Sequence, residues 1–244
     1  MPRVGVIREY TTDYVPTNRV IWLRKNGQPL LVHPTGLTWS ERSGTFLGDT
    51  VKTKAVIYHF DWARALADGN LDNAVLDIID DDAAVNGCRP EFVTVQQKEY
   101  LATADYGDIR PEVRLYDPQA LIQQRRSSAT GVVAYRFTCR PFNQNLSWDT
   151  DRAQLTCIEN VIAGRGWQLD EINLPAAIAD GRASGPGVDI RTLTFLPHDE
   201  LEGYRPLPGG IGIFVTSSPK NNLTIGKIKT VQPKDSPPNN PATP

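Results

Sequence analysis

Asn26-Gly27 constrains the fold more than any other dipeptide in this chain. It stands between the alternating run of residues 19–24 (RVIWLR) and the apolar run of residues 29–32 (PLLV). Both turn residues tolerate the positive φ that a two-residue hairpin requires, so the spacing predicts a β-hairpin. Short runs rich in β-branched and aromatic residues recur further along. Strands are expected over residues 4–7, 51–60, 92–96, 112–116, 131–140, 167–174, 188–196 and, as the last, 210–216. Residues 36–50 read as a polar loop anchored by Trp39 and Phe46.

Helix signals fall between these runs. Asp61 caps a short helix through residue 68, and Gly69 ends it. Residues 70–79 place Leu71, Val75, Ile78 and Ile79 on one helical face. Asp117-Pro118 supplies an N-cap followed by proline at the first helical position, and this helix runs to Arg126. Residues 150–163 give the clearest helix, with Ala153, Leu155, Ile158, Val161 and Ile162 as apolar positions and Gly164 as its C-cap. Helices and strands mix irregularly and no period repeats. The expected fold class is therefore α+β, a strand-rich body with a few short helices, rather than a doubly wound sheet. The body is expected over residues 1–217, as one domain or two subdomains, with an extended Pro/Asn-rich arm over residues 218–244.

Composition excludes several classes. The net charge of -2 offers no clustered excess of cations for phosphate neutralisation, which argues against a dedicated nucleic-acid binder. Cys88, Cys139 and Cys157 match no zinc spacing and read as reduced, mostly buried thiols. No apolar run approaches the ~18 residues of a membrane span. Residues 1–10 (MPRVGVIREY) lack the apolar core of a signal peptide. The expected location is the cytoplasm of the producing cell, or an extracellular particle released by lysis, without membrane insertion or secretion by a signal peptide.

Tested against known chemistry, the chain offers little. Asp68, Asn70 and Asp72 have calcium-loop spacing, but Asn73 stands where glycine is needed and Ile79 where the bidentate carboxylate belongs. The acidic stretch over residues 68–82 reads instead as a solvated face or a docking site for a basic partner, with a divalent cation at Asp80, Asp81 and Asp82 as the alternative. His59 sits in an apolar strand and reads as a packed residue, and His198 falls in a loop. Asp170-Glu171 and Asp199-Glu200 are adjacent pairs, so one member of each faces away from the other. No nucleophile elbow, phosphate-binding glycine loop or dinucleotide fingerprint occurs. No catalytic residue, metal ligand or cofactor is assigned.

The tail carries the functional expectation. Leu223, Ile225, Ile228 and Val231 alternate as anchors for strand addition to a partner, and Pro237, Pro238 and Pro241 keep the last residues out of helices. These seven residues are the expected interface. Lys220, Lys227, Lys229 and Lys234 make the tail mildly cationic against a single acid, Asp235. The leading expectation is a non-enzymatic structural or assembly subunit of a large particle, in its most specific form a virion or tail component of a bacteriophage. Its partners are other protein subunits, in a homo- or hetero-oligomer. The alternatives are a hydrolase-type enzyme with a carboxylate or divalent-metal site near Asp80, and a monomeric module that binds a ligand or peptide.

Overall fold

The computed structural model describes residues 3–11, 24–26, 28–29, 34–68, 70–84, 86–162, 166–184, 187–189 and 200–229. In chain order the first strands are β1 (Arg3–Tyr10), β2 (Arg24–Lys25), β3 (Gln28–Pro29), β4 (Pro34–Ser40), β5 (Gly44–Val51) and β6 (Lys54–Phe60). Helix α1 (Trp62–Asp68) leads to β7 (Val75–Asp80), β8 (Glu91–Val95), β9 (Lys98–Ala104) and β10 (Glu112–Tyr116). Helix α2 (Pro118–Gln124) leads to β11 (Val133–Thr138), β12 (Asn143–Asp149), β13 (Gln154–Ile162) and β14 (Gly166–Asn173). After α3 (Leu174–Asp180) come β15 (Gly187–Asp189), β16 (Leu201–Leu207), β17 (Ile211–Thr216) and β18 (Leu223–Lys229).

These strands form layers. One four-stranded sheet has the order β4-β5-β6-β7 and a second the order β11-β10-β9-β8. The second sheet is the middle layer. One of its faces packs Phe92, Leu101 and Tyr116 against Phe46, Ile57 and Ile79 of the first sheet. Its other face packs Val93, Ala102, Leu115 and Phe137 against Leu146, Leu155, Cys157 and Ile172 of an eight-stranded sheet. A layer covered on both faces loses the inside–outside alternation, and β9 and β10 are buried without a break over residues 100–104 and 113–116, Thr103 and Arg114 included.

The eight-stranded sheet has the order β12-β13-β14-β15-β1-β18-β17-β16 and is antiparallel except where β1 meets β15. It curls until its edge strands β12 and β16 lie side by side. Side chains close that seam: Asn145 Nδ2 donates to the Glu202 carbonyl at 3.1 Å, and Gln144 Nε2 reaches Glu200 and Glu202 at 3.2 Å each. Inside the curl Val4, Ile158, Leu169, Leu201, Tyr204 and Phe214 form a third core.

The expected α+β class is corrected by this architecture. The body is a layered, β-sandwich-like assembly, and the three α-helices among the described residues are seven-residue connections. Two of the four expected helices form. Asp61 caps α1 through Arg64 N at 3.0 Å, and Asp117 caps α2 through Gln119 N and Ala120 N, both at 3.0 Å. The other two are replaced by strands: residues 70–79 end in β7, and residues 150–163 contain β13. The expected loop at 36–50 is the hairpin β4–β5. The pair β2–β3 brackets Asn26-Gly27, with Asn26 at φ 52°; Gly27 lies outside the described residues. Helix α3 and strands β9, β12 and β16 were not expected. Gly69, Gly164 and residues 190–196 also fall outside the described residues.

The expected boundary at residue 217 falls inside the curled sheet. β17 is followed by β18, which pairs with β1 over residues 3–10 and with β17 over residues 211–215. Among the described residues no helix is long and apolar enough to cross a membrane.

Candidate functional site

The outer face of the first sheet is built from cross-strand rows. Register sets Leu37 beside Leu47, Leu47 beside Tyr58 and Tyr58 beside Ile78. In the next row Trp39, Thr45 and Phe60 align. The centre of the face is buried, with Leu47, Tyr58 and Phe60 in a cluster of their own. The two edge strands are not: Trp39 is 65 % exposed, Leu37 54 %, Ile78 48 % and Leu76 47 %. Helix α1 extends the patch at the Phe60 end, where the Trp62 ring sits 5.8 Å from that of Phe60. Leu66, one turn further, is also exposed, and α1 buries none of its residues. Large apolar side chains gathered in this way mark interaction surfaces, and tryptophan is enriched where binding energy concentrates. The sequence reading placed Trp39 as an anchor; the structure buries its companion Phe46 and leaves Trp39 in solvent.

The seven expected interface residues are divided. Leu223, Ile225 and Ile228 lie in β18, whose two edges are taken by β1 and β17 of the same chain. Val231, Pro237, Pro238 and Pro241 lie outside the described residues.

The acidic stretch does not gather into a metal site. Asp77 accepts from Arg125 Nη2 at 2.7 Å and lies 3.1 Å from His59 Nδ1. Asp80 ties β7 to the end of α2 through its backbone, with Asp80 N donating to the Arg125 carbonyl and Ser127 N to the Asp80 carbonyl, each at 3.0 Å. Asp81 is fully buried and accepts from the Tyr116 hydroxyl at 2.6 Å. Asp82 accepts from Ser128 Oγ at 2.7 Å and Arg126 Nε at 2.5 Å. Adjacent aspartates thus face different partners, and much of the stretch is paired within the chain rather than solvated. Among the described residues no group of three or more His, Cys, Asp or Glu is placed to hold a metal ion.

Asp81 belongs to a buried network. Arg114 Nε donates to Tyr116 Oη at 3.1 Å and its Nη1 to Asp105 at 2.8 Å. Burial opposes the charge on Arg114, yet Tyr116, Asp105 and Asp81 around it hold its pKa above the ordinary value. Burial pushes the Asp81 carboxyl and the Tyr116 hydroxyl upward. The network pins the first sheet to the middle layer. His59 stacks on Phe46 at 4.7 Å, the packed role expected of it. Cys88 and Cys157 are buried and Cys139 partly so, all free thiols as expected. Burial drives the Cys88 thiol well above its ordinary pKa, which makes it a poor nucleophile. His198 lies outside the described residues.

Two further features escaped the sequence reading. A cavity of about 750 Å³ opens at one end of the curled sheet, lined by Asp149, Arg152, Glu171, Tyr204, Arg205 and Ile211 among others. Glu171 faces Arg152 there at 3.6 Å, whereas its neighbour Asp170 is buried at the opposite face beside Glu159. That is the divergence expected of adjacent carboxylates. The second feature is Glu91, where three sheets meet: it accepts from Trp148 N of β12 and Thr38 Oγ1 of β4, and lies 3.8 Å from Arg205 of β16. Only the Leu37-x-Trp39 alternation signalled the exposed patch; nothing local signalled Glu91. No protein-family profile matches the sequence, and no curated protein matches it.

Proposed function

We propose that this chain is a structural or assembly subunit of a larger protein particle and docks on its neighbours through the outer face of the first sheet. The observation that carries this reading is the exposed apolar rim formed by Trp39, Trp62, Leu66, Leu76 and Ile78 around a buried Phe60. Burying such aromatic anchors in a partner's pocket is what makes subunit contacts stable. The Pro-rich residues beyond 229 add a second, extended contact in this reading. The particle forms in the cytoplasm of the producing cell and is released by lysis. Light scattering on gel-filtered protein, together with incorporation into the native particle, tests the docking. Trp39→Ser combined with Trp62→Ser should abolish assembly while the melting midpoint stays within a few degrees. Full incorporation of the double variant would refute the reading.

A second reading rests on the cavity at the end of the curled sheet. Mouths of closed sheets commonly hold small ligands, and this one mixes the Tyr204 ring with two arginines and three carboxylates. A chain that remains monomeric under all conditions and binds a polar small molecule there would favour a ligand-binding module.

A further inference from the structure

At one end of the curled sheet, register aligns Asn143 of β12 with Glu159 of β13, and Glu159 with Gln168 of β14. Asp170 lies diagonally from Glu159 on the same face, because side chains alternate along a strand. Asn143, Glu159 and Asp170 are 0 %, 3 % and 4 % exposed. Asn143 Oδ1 and Glu159 Oε1 are buried with no hydrogen-bond donor, and Asp170 Oδ1 is buried with the Arg140 guanidinium beside it. The amide orientation of Asn143 is fixed, since Nδ2 donates to the Arg140 carbonyl at 2.8 Å and to Cys139 Sγ at 3.3 Å. Its oxygen is therefore an acceptor by construction. Buried acceptors left without donors are costly, and two facing each other on adjacent strands are rare in folded proteins.

Among the described residues Arg140 is the cation paired with the row. Its Nη1 lies 3.1 Å from Asp170 Oδ1 and 3.7 Å from Glu159 Oε2, and donates to Gln168 Oε1 at 2.7 Å. That side chain is 40 % exposed, so it can leave without opening the core. One guanidinium does not neutralise two carboxylates.

We infer that this row is a binding site for a hard divalent cation, with Glu159, Asp170 and the Asn143 amide oxygen as ligands and Gln168 Oε1 as a fourth when Arg140 swings out. An all-oxygen donor set selects calcium, magnesium or manganese over zinc or copper. Such an ion would clamp β12, β13 and β14 together beside the seam of the curled sheet.

Calorimetric titration of the full chain at about pH 8 with calcium, magnesium and manganese chlorides, each to about 10 mM, tests the site. At least one cation should bind one per chain and raise the melting midpoint. Glu159→Gln should weaken that cation by about tenfold or more. Arg140→Gln should tighten it, because the competing guanidinium is gone; a purely structural row would show no such gain. Arg140→Gln also keeps the test decisive if Glu159→Gln does not fold. Absence of both heat and midpoint shift with all three cations would overturn the inference. So would unchanged affinity in Glu159→Gln, or affinity that falls in Arg140→Gln.

Discussion

Glu91→Gln should change how the stability of this protein depends on pH. Glu91 is taken out of water where β4, β8, β12 and β16 converge, with its side chain only 16 % exposed. Burial raises its carboxyl from 4.5 to about 7, against the opposing pull of Arg205. That pull is weak because the Arg205 side chain is 65 % exposed and 3.8 Å away, and solvent screens such pairs. Between these two pH values the folded protein binds more protons than the unfolded chain, so stability falls as pH rises. Two and a half pH units at about 1.36 kcal/mol each give a loss of about 3 kcal/mol, complete above pH 7. Glutamine carries no charge to desolvate and still offers an oxygen to Trp148 N. The variant has its own offset from an altered bond to Thr38, but that offset does not depend on pH. Urea denaturation followed by tryptophan fluorescence, from about pH 4.5 to about pH 8.5, measures the difference between the two proteins. The difference should move in favour of the variant by about 3 kcal/mol across this range. A difference that stays constant within about 0.5 kcal/mol would refute the reasoning.

Other perturbations follow from the same structure. Ending the chain at Ser217 deletes β18 from between β1 and β17, so the truncated protein should lose its cooperative melting transition, whereas a chain ending at Lys229 should keep it; a cooperative transition in the shorter protein, checked by calorimetry, would show that the curled sheet does not need this strand. Glu159→Gln should gain stability over the native protein between pH 6 and about 8, since over that window the native carboxyl, raised to about 8, keeps a proton that the unfolded chain has already released and native stability falls with rising pH; melting midpoints of both proteins at the two pH values read this out. Gly48→Ala should cost about 3 kcal/mol in chemical denaturation, because a Cβ there would stand 2.5 Å from the Cys88 carbonyl oxygen, a backbone atom that cannot rotate away.

What the sequence made legible was local chemistry. Asp61 and Asp117 were readable as caps because an N-cap acts over three residues and Pro118 fixes the first turn. What it hid depended on distant layers. β13 was read as a helix because it is buried on both faces: Leu155 and Cys157 meet the middle layer while Ile158 points into the curl. Apolar positions at 155, 158, 161 and 162, freed from strict alternation, mimic helical spacing. β4 and β5 were read as a loop because they bury polar residues. Thr38 is satisfied by Glu91 and Ser43 by Glu99, partners more than 50 positions away. Two hairpin turns, Lys52-Thr53 and Gln96-Gln97, hold positive φ without glycine or asparagine to advertise it. β18 looked like a free arm because its buried face is carried by Thr224 and Gly226, which no hydrophobic pattern scores. The oxygen row of Asn143, Glu159 and Asp170 was invisible for the same reason: strand register alone brings it together.

Hydroxyl-radical footprinting tests the central claim most directly. The chain is oxidised once in its native assembled state and once as dilute isolated protein, and the modification of each side chain is compared by mass spectrometry. Trp39, Trp62, Leu66, Leu76 and Ile78 are all exposed in the isolated chain. The docking account predicts that these residues are protected in the assembled state, while Ile109, exposed elsewhere on the body, is oxidised equally in both. Equal oxidation of the two tryptophans in both states would contradict it.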